Sequence, residues 1–384
     1  MRWIYCGLWT MLCVSVLHPV EAATRRASRQ TTSTTVAAIP ETTIGARLDS
    51  ALATGEDNSP LAWYDASLLT LEGKGFNDTP TTYSRLPVRA ESSVTTTVWF
   101  LSKNTAGLCI RFATDSTTIG AIWTSGFKMS HMARTGSSGV DLYAHQGSEW
   151  VYCGTGKPVE TTRTVATLTR TRPGVLTEYM LYLPLYDQIS ELKVGVAAEA
   201  FIAPLTPRKD KPIVFYGTSM TQGGCASRAG MCHTAILGRW LNRPVINLGF
   251  SGSGKSDPEM QALVADVEAA AYVLEPLPNM TVDQVRERIP AFVKTLRAKH
   301  PTTPILLVEN PLYSTTATQN LALRDIFDKA RKQGTKRLHY LYAEAQLSGR
   351  ENGTVDGVHP TDLGFLRMAS VYEPMLKIML SGKL

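Results

Sequence analysis

The chain has 384 residues, enough for about two domains at roughly 100–200 residues each. Hydrophobic residues make up 43% and charged residues 19%, so sizeable cores can form and global disorder is excluded. A mean hydropathy of -0.07 excludes a polytopic membrane protein, and a net charge of +6 without any concentrated Lys/Arg block gives nucleic-acid binding no support.

In chain order, Met1-Arg2 supplies a positive end and Ile4–Leu17 is almost wholly apolar. That run is too short to span a bilayer but fits a signal-peptide core. Val20-Glu21-Ala22 offers small and medium side chains to a signal peptidase, so cleavage is expected after Ala22, leaving the net charge at +6. A mature chain without a transmembrane segment and a secreted or periplasmic location follow. Residues 23–45 read as a Ser/Thr-rich flexible linker.

From 46 to 206 the texture is β. Thr95–Leu101, Cys109–Phe112, Thr118–Trp123, Glu149–Cys153, Arg163–Thr169 and Glu178–Leu183 are rich in Val, Thr, Ile and aromatics, punctuated by Gly, Asn, Asp and Pro. Short strands at this spacing predict a β-sandwich or jelly roll. From 207 to 384 strands and helices alternate. Strands are expected at Ile213–Tyr216, Val245–Phe250, Ala270–Leu277, Ile305–Glu309 and Leu338–Ala343. Helices are expected at Cys232–Leu241, Asp257–Ala269, Val282–Lys299 with a bend at Pro290, Thr318–Gln333 and Thr361–Leu380. Continuous apolar strands in strict alternation predict a parallel sheet covered on both faces, with the site at the strands' C-terminal ends.

After loss of Cys6 and Cys13 with the signal, Cys109, Cys153, Cys225 and Cys232 remain. Four cysteines allow three pairings, and an oxidising compartment makes all four disulfide candidates. Pairing within each domain gives Cys109–Cys153 and Cys225–Cys232. The spacing matches no zinc motif.

Four polar blocks follow strand ends or precede the last helix. Gly217-Thr218-Ser219-Met220-Thr221 puts a serine at a strand-to-helix turn, where a hydroxyl can be exposed beside backbone N–H groups. Thr221 replaces the second glycine of a G-x-S-x-G elbow, and the blander role for Ser219 is an N-cap. Asn247 to Gly254 carries three glycines that allow close backbone approach. Gly249-x4-Gly254-Lys255-Ser256 matches a phosphate loop letter for letter. Its place after a second strand, behind a signal peptide, argues against nucleotide binding. Leu277-Pro278-Asn279-Met280 offers an amide donor or a turn asparagine. In Asp356-Gly357-Val358-His359, an aspartate three residues before a histidine can orient the imidazole for proton transfer.

Together these blocks resemble an SGNH (GDSL-type) hydrolase over about residues 210–384, its four signature residues falling on Ser219, Gly252, Asn279 and His359, with Asp356 as the acid. Gly217-Thr218-Ser219 departs from the usual Gly-Asp-Ser, and Leu277-Pro278-Asn279-Met280 from Gly-x-Asn-Asp. Gly139-Val140-Asp141-Leu142-Tyr143 resembles the Gly-x-Asp-Leu-Tyr signature of a β-domain preceding some SGNH hydrolases. Trp63-Tyr64-Asp65, Leu71–Lys74, Arg85-Leu86-Pro87 and Ala106-Gly107-Leu108 are of the same type. Asp141 and Tyr143 read as structural, a turn aspartate and a packed tyrosine.

The resemblance implies a flavodoxin-like three-layer α/β hydrolase domain behind a β-sandwich. It implies a serine esterase with Ser219, His359 and Asp356 as triad. The oxyanion hole would be made by the N–H groups of Ser219 and Gly252 and the Asn279 amide. It implies no metal and no organic cofactor. The expected partner is an acylated small molecule or glycan, and the expected reaction is removal of O-acetyl groups from a carbohydrate. A soluble lysophospholipase-like acylhydrolase and a non-catalytic glycan binder are the alternatives.

Overall fold

The computed structural model describes residues 43–382, apart from 57–58, 127–128, 160–161, 171–174 and 348–351. The expected signal segment and nearly all of the linker lie outside the described residues.

The first part contains strands β1 (Leu61–Asp65) and β2 (Thr70–Glu72), helix α1 (Thr96–Ser102), then β3 (Cys109–Thr114) and β4 (Thr118–Thr124). Helix α2 (Arg134–Ser137), β5 (Val140–Gln146), β6 (Glu149–Gly156), β7 (Arg163–Arg170), β8 (Thr177–Tyr182), β9 (Leu192–Ala197) and β10 (Ile202–Pro204) follow. The strands form two antiparallel sheets, in the orders β1-β9-β4-β7 and β10-β3-β8-β5-β6, with β2 paired to β3. Side chains alternate across a strand, so Ile119, Ala121 and Trp123 of β4 and Val194 and Val196 of β9 share one inner face. They enclose a core with Ile110 and Phe112 of β3, Leu142 of β5 and Tyr179 and Leu181 of β8. This is the expected sandwich.

The second part runs β11 (Ile213–Gly217), α3 (Ser219–Gln222), α4 (His233–Trp240), β12 (Val245–Gly249), α5 (Pro258–Asp266), β13 (Ala271–Glu275) and α6 (Val282–Lys299). It ends with β14 (Ile305–Val308), α7 (Tyr313–Lys332), β15 (Leu338–Leu341) and α8 (Asp362–Leu380). The five strands are parallel in the order β12-β11-β13-β14-β15, the flavodoxin-like order. Val214, Tyr216 and Leu274 face α5 and α6, whose Met260, Leu263, Ile289 and Phe292 cover them. Ile213, Phe215 and Val273 point the other way, toward Ile236 and Leu237 of α4 and Phe365 and Tyr372 of α8. Burial on both faces explains why these strands read as unbroken apolar runs. Among the described residues, no helix is long and apolar enough to cross a membrane.

Both cores continue into the β part. Phe76, Leu86, Val98 and Trp99 belong to the first, and Tyr143, Tyr182 and Tyr186 to the second. The described residues therefore form one compact unit.

Two sequence expectations fail. Thr95–Leu101 is helix rather than strand: the Thr95 hydroxyl accepts the Val98 N–H at 3.3 Å as N-cap. Val98, Trp99, Leu101 and Ser102 then form one buried helical face against the parallel part, and this packing overrides a β-branched run. The four cysteines are free thiols. Cys109 lies on β3 and Cys153 on β6, with β8 and β5 between them. Three strand spacings are about 14 Å, beyond the reach of a disulfide. Cys232 Sγ faces the Thr221 carbonyl at 3.5 Å and the Thr234 hydroxyl at 3.4 Å, whereas Cys225 faces the His359 ring.

Candidate active site

β11 sits between β12 and β13, where the strand order reverses and ligands bind in sheets of this kind. Gly217, Gly249 and Glu275 stand level at the ends of the three strands. Ser219, Gly252 and Asn279 come two, three and four residues later, so one register line delivers all three blocks to one edge.

Ser219 is the first residue of α3, yet it is not the cap. Thr218 caps the turn, and Thr221 Oγ1 accepts the Thr218 N–H at 3.1 Å. This leaves the Ser219 hydroxyl free for His359 Nε2, 3.0 Å away. His359 Nδ1 meets Asp356 Oδ2 at 2.7 Å. Asp356 is not a helix cap either, since Thr361 caps α8. Its other oxygen accepts the backbone N–H groups of His359 at 2.7 Å and Val358 at 3.0 Å. Burial raises the Asp356 carboxyl, but the His359 and Val358 N–H groups and the imidazole outweigh it and hold it at about 2. The carboxylate is thus ionised throughout the neutral range and fixes the Nδ1–H tautomer, aiming the Nε2 lone pair at Ser219.

Gly252 has φ +67°, and its Cα faces open space. Asn279 closes a short 3₁₀ turn, Leu277–Asn279, and its amide oxygen is buried without a partner among the described residues. Gly249 lets α3 lie directly on β12: a Cβ there would stand 2.2 Å from the Gln222 nitrogen. Gly249→Ala is therefore expected to destabilise the protein by about 1–3 kcal/mol, read as a lower melting temperature in calorimetry. The phosphate-loop letters thus serve packing. Ser256 N–H donates to Tyr216 at 2.8 Å, and no helix begins until Pro258.

Several supporting residues escaped sequence reasoning. Glu275 accepts Thr221 at 2.7 Å and Tyr372 at 2.7 Å, and its Oε1 lies 3.1 Å from His233 Nε2, all buried beneath the turn that carries Ser219. Burial opposes the charge on His233, but Glu275 outweighs it and raises the imidazole above its ordinary value. Gln222 accepts the Ser251 N–H at 2.9 Å and donates to Asn104 at 3.1 Å and to Leu185 O at 3.2 Å. Arg85, fully buried, donates to Asn104 O at 2.8 Å, Leu101 O at 2.7 Å, Asn247 O at 3.1 Å and Gly249 O at 2.8 Å, and stacks over Phe250. Tyr186 donates to the Ser219 carbonyl at 3.2 Å. Asp141 accepts Arg228 at 2.6 Å, Gly230 N–H at 3.0 Å and Thr155 at 2.8 Å, clamping the loop behind α3. Arg85 and Asp141 lay inside quoted motifs, but only the long-range contacts give them roles.

Residues 210–377 match the family model described as "GDSL-like Lipase/Acylhydrolase family". Residues 61–202 match GxDLY, "N-terminus of Esterase_SGNH_hydro-type". A solved structure described as a GDSL-like lipase from Bacteroides ovatus shares 33% identity, covers 84% of this chain and 98% of its own, and superposes with a TM-score of 0.78. The chain belongs to the GDSL-like lipase/acylhydrolase family. Its α/β part carries the hydrolase fold of that family, and its β part is the GxDLY N-terminal domain. More distant solved structures share the fold. The salicylyl-acyltransferase SsfX3 has 17% identity and a TM-score of 0.69, covering 83% of this chain and 98% of its own. The acetyl xylan esterase Est2A from Butyrivibrio proteoclasticus has 12% identity and a TM-score of 0.54, covering 84% and 100%. None of the curated proteins compared with the chain matches it.

Proposed function

We propose that this GDSL-family hydrolase is a secreted serine carboxylic-ester hydrolase that removes O-acetyl groups from a carbohydrate. A β-domain at 46–206 frames a catalytic domain at 207–384. The observation that carries the reading is the Asp356–His359–Ser219 relay, with 2.7 and 3.0 Å links. Ser219 Oγ attacks the ester carbonyl as His359 Nε2 takes its proton. The N–H groups of Ser219 and Gly252 and the Asn279 amide receive the oxyanion. The C–O bond to the alcohol then breaks, and His359 returns the proton to the leaving oxygen. Water, activated in turn by His359, hydrolyses the acyl-enzyme and restores Ser219.

The fold shared with an acetyl xylan esterase supports the carbohydrate reading, and the apolar run at Ile4–Leu17 supports export. Asn279→Ala is expected to lower kcat by about 10²–10³-fold with little change in KM. Hydrolysis of p-nitrophenyl acetate and octanoate tests the reading as a whole. Acetate turnover is expected to exceed octanoate turnover and to be followed by acetate release from acetylated polysaccharide. Preference for octanoate that grows with micelles would replace this reading with a lysophospholipase-like one. Cleavage of neither ester, with binding to a glycan array, would make the protein a binder.

A further inference from the structure

Two side chains that ester hydrolysis does not use stand beside the relay. Cys225 is buried just after α3, and His131 is exposed ahead of α2 in the β part. A ring nitrogen of His131, Cys225 Sγ and a ring nitrogen of His359 all lie within 4.8 Å of one another. The two imidazoles are 5.6 Å apart between centroids and inclined by 51°. Because Asp356 holds His359 Nδ1, the atom of His359 available to a ligand is Nε2.

We propose that His131, Cys225 and His359 form a binding site for a borderline-soft divalent cation of the zinc type, and that its occupation switches the hydrolase off. Two imidazoles and a thiolate are a donor set that suits zinc and not magnesium or calcium. Bond lengths of about 2.0–2.1 Å to nitrogen and 2.3 Å to sulfur place tetrahedral donors about 3.5 Å apart. Donor atoms already within 4.8 Å of one another reach that value through side-chain rotations of all three residues, with the exposed His131 the freest to turn. Asp356 would then be the outer carboxylate that orients a ligating histidine. The Cys225 thiol proton leaves to solvent on binding. A cation on Nε2 occupies the lone pair that takes the Ser219 proton, so binding and catalysis exclude each other. The spacing of the three residues along the chain could not reveal the site, because the fold brings them from three separate segments.

The switching half of the proposal rests on the esterase reading; the binding half does not. The test uses full-length protein freed of metal by EDTA and dialysis. Cobalt(II) serves as the spectroscopic probe and zinc chloride as the inhibitor. One equivalent of cobalt is expected to give a thiolate charge-transfer band in wild type and in Ser219→Ala, and none in Cys225→Ser. Zinc is expected to lower p-nitrophenyl acetate turnover at least tenfold and EDTA to restore it, with magnesium inert. His131→Ala, a surface change that spares the fold, is expected to keep basal turnover and to need about 10–100-fold more zinc for half-inhibition. Absence of the band in wild type overturns the site. Equal zinc inhibition of wild type, His131→Ala and Cys225→Ser overturns the switch. If metal-free wild type cleaves no ester, the esterase reading fails, and the cobalt band alone decides the site.

Discussion

Ser219→Ala is expected to reduce p-nitrophenyl acetate turnover by on the order of 10⁴–10⁶-fold. The reason is the isolation of this hydroxyl: Thr218 and Thr221 do the capping, so the Ser219 side chain has one task, toward His359. For the same reason the melting temperature should stay within a degree or two of wild type. Unfolding monitored by circular dichroism separates the two effects. Residual turnover of even one-tenth would sink the nucleophile assignment, since among the described residues Ser219 is the hydroxyl held to His359 Nε2. Loss of turnover together with a collapsed melting temperature would also count against it.

Arg85→Met should have the largest effect on stability. The buried guanidinium is met by four backbone carbonyls and the Phe250 face, and burial pushes it down to about 9. Methionine fills much of the volume but donates nothing, leaving those carbonyls short of partners at about 1–3 kcal/mol for each that water cannot reach. A total loss of several kcal/mol is expected, read as a drop of roughly 5–10 °C in melting temperature. Two of the carbonyls, Asn247 and Gly249, lead directly into the Gly252 loop, so kcat is expected to fall more than KM rises. Arg89→Met is the control. Arg89 pairs with Asp78 and Asp266 at 2.9 Å, but half its side chain is exposed, and such pairs contribute about 0–1 kcal/mol. Equal melting temperatures for the two variants would refute the role given to Arg85.

The parallel part was legible because burial on both strand faces writes short apolar runs, and these alternate strictly with helical stretches. Val282–Lys299 was read with its bounds, and Ile213–Gly217 within one residue. Ser219, Gly252 and Asn279 were legible as polar blocks after strand ends, because Gly217, Gly249 and Glu275 end their strands in line. Asp356 and His359 were legible from their three-residue spacing ahead of the last helix. What stayed hidden depends on contacts between distant segments. Val140–Gln146 carries a buried aspartate, so it does not look like a core strand until Arg228 and Gly230 are known to meet it. Thr95–Leu101 has β-forming side chains whose helix is dictated by the surface it covers. The Cys109–Cys153 pairing failed because it needs the strand order, which no local pattern encodes. The Cys225–Cys232 pairing failed because the two thiols face different neighbours, His359 and the Thr221 carbonyl. His233 and Glu275 belong to a different helix and strand, and neither announces the other.

The sharing of cores across the β and α/β parts also bears on how the chain is made. Leu86, Val98 and Trp99 leave the ribosome long before their partners at Leu248, Leu263 and Phe292 exist. At about 5–20 residues per second, the wait for α6 is roughly 10–40 s. During that interval a tryptophan, a valine and a leucine have no core to enter, and Arg85 has neither Asn247 nor Gly249 to bond. The N-terminal sandwich has a core of its own around Trp123 and Phe112, but its side facing the hydrolase stays open and adhesive until the second part arrives. A nascent chain of this kind needs shielding on one defined face, and a fragment ending near residue 206 would carry that face permanently.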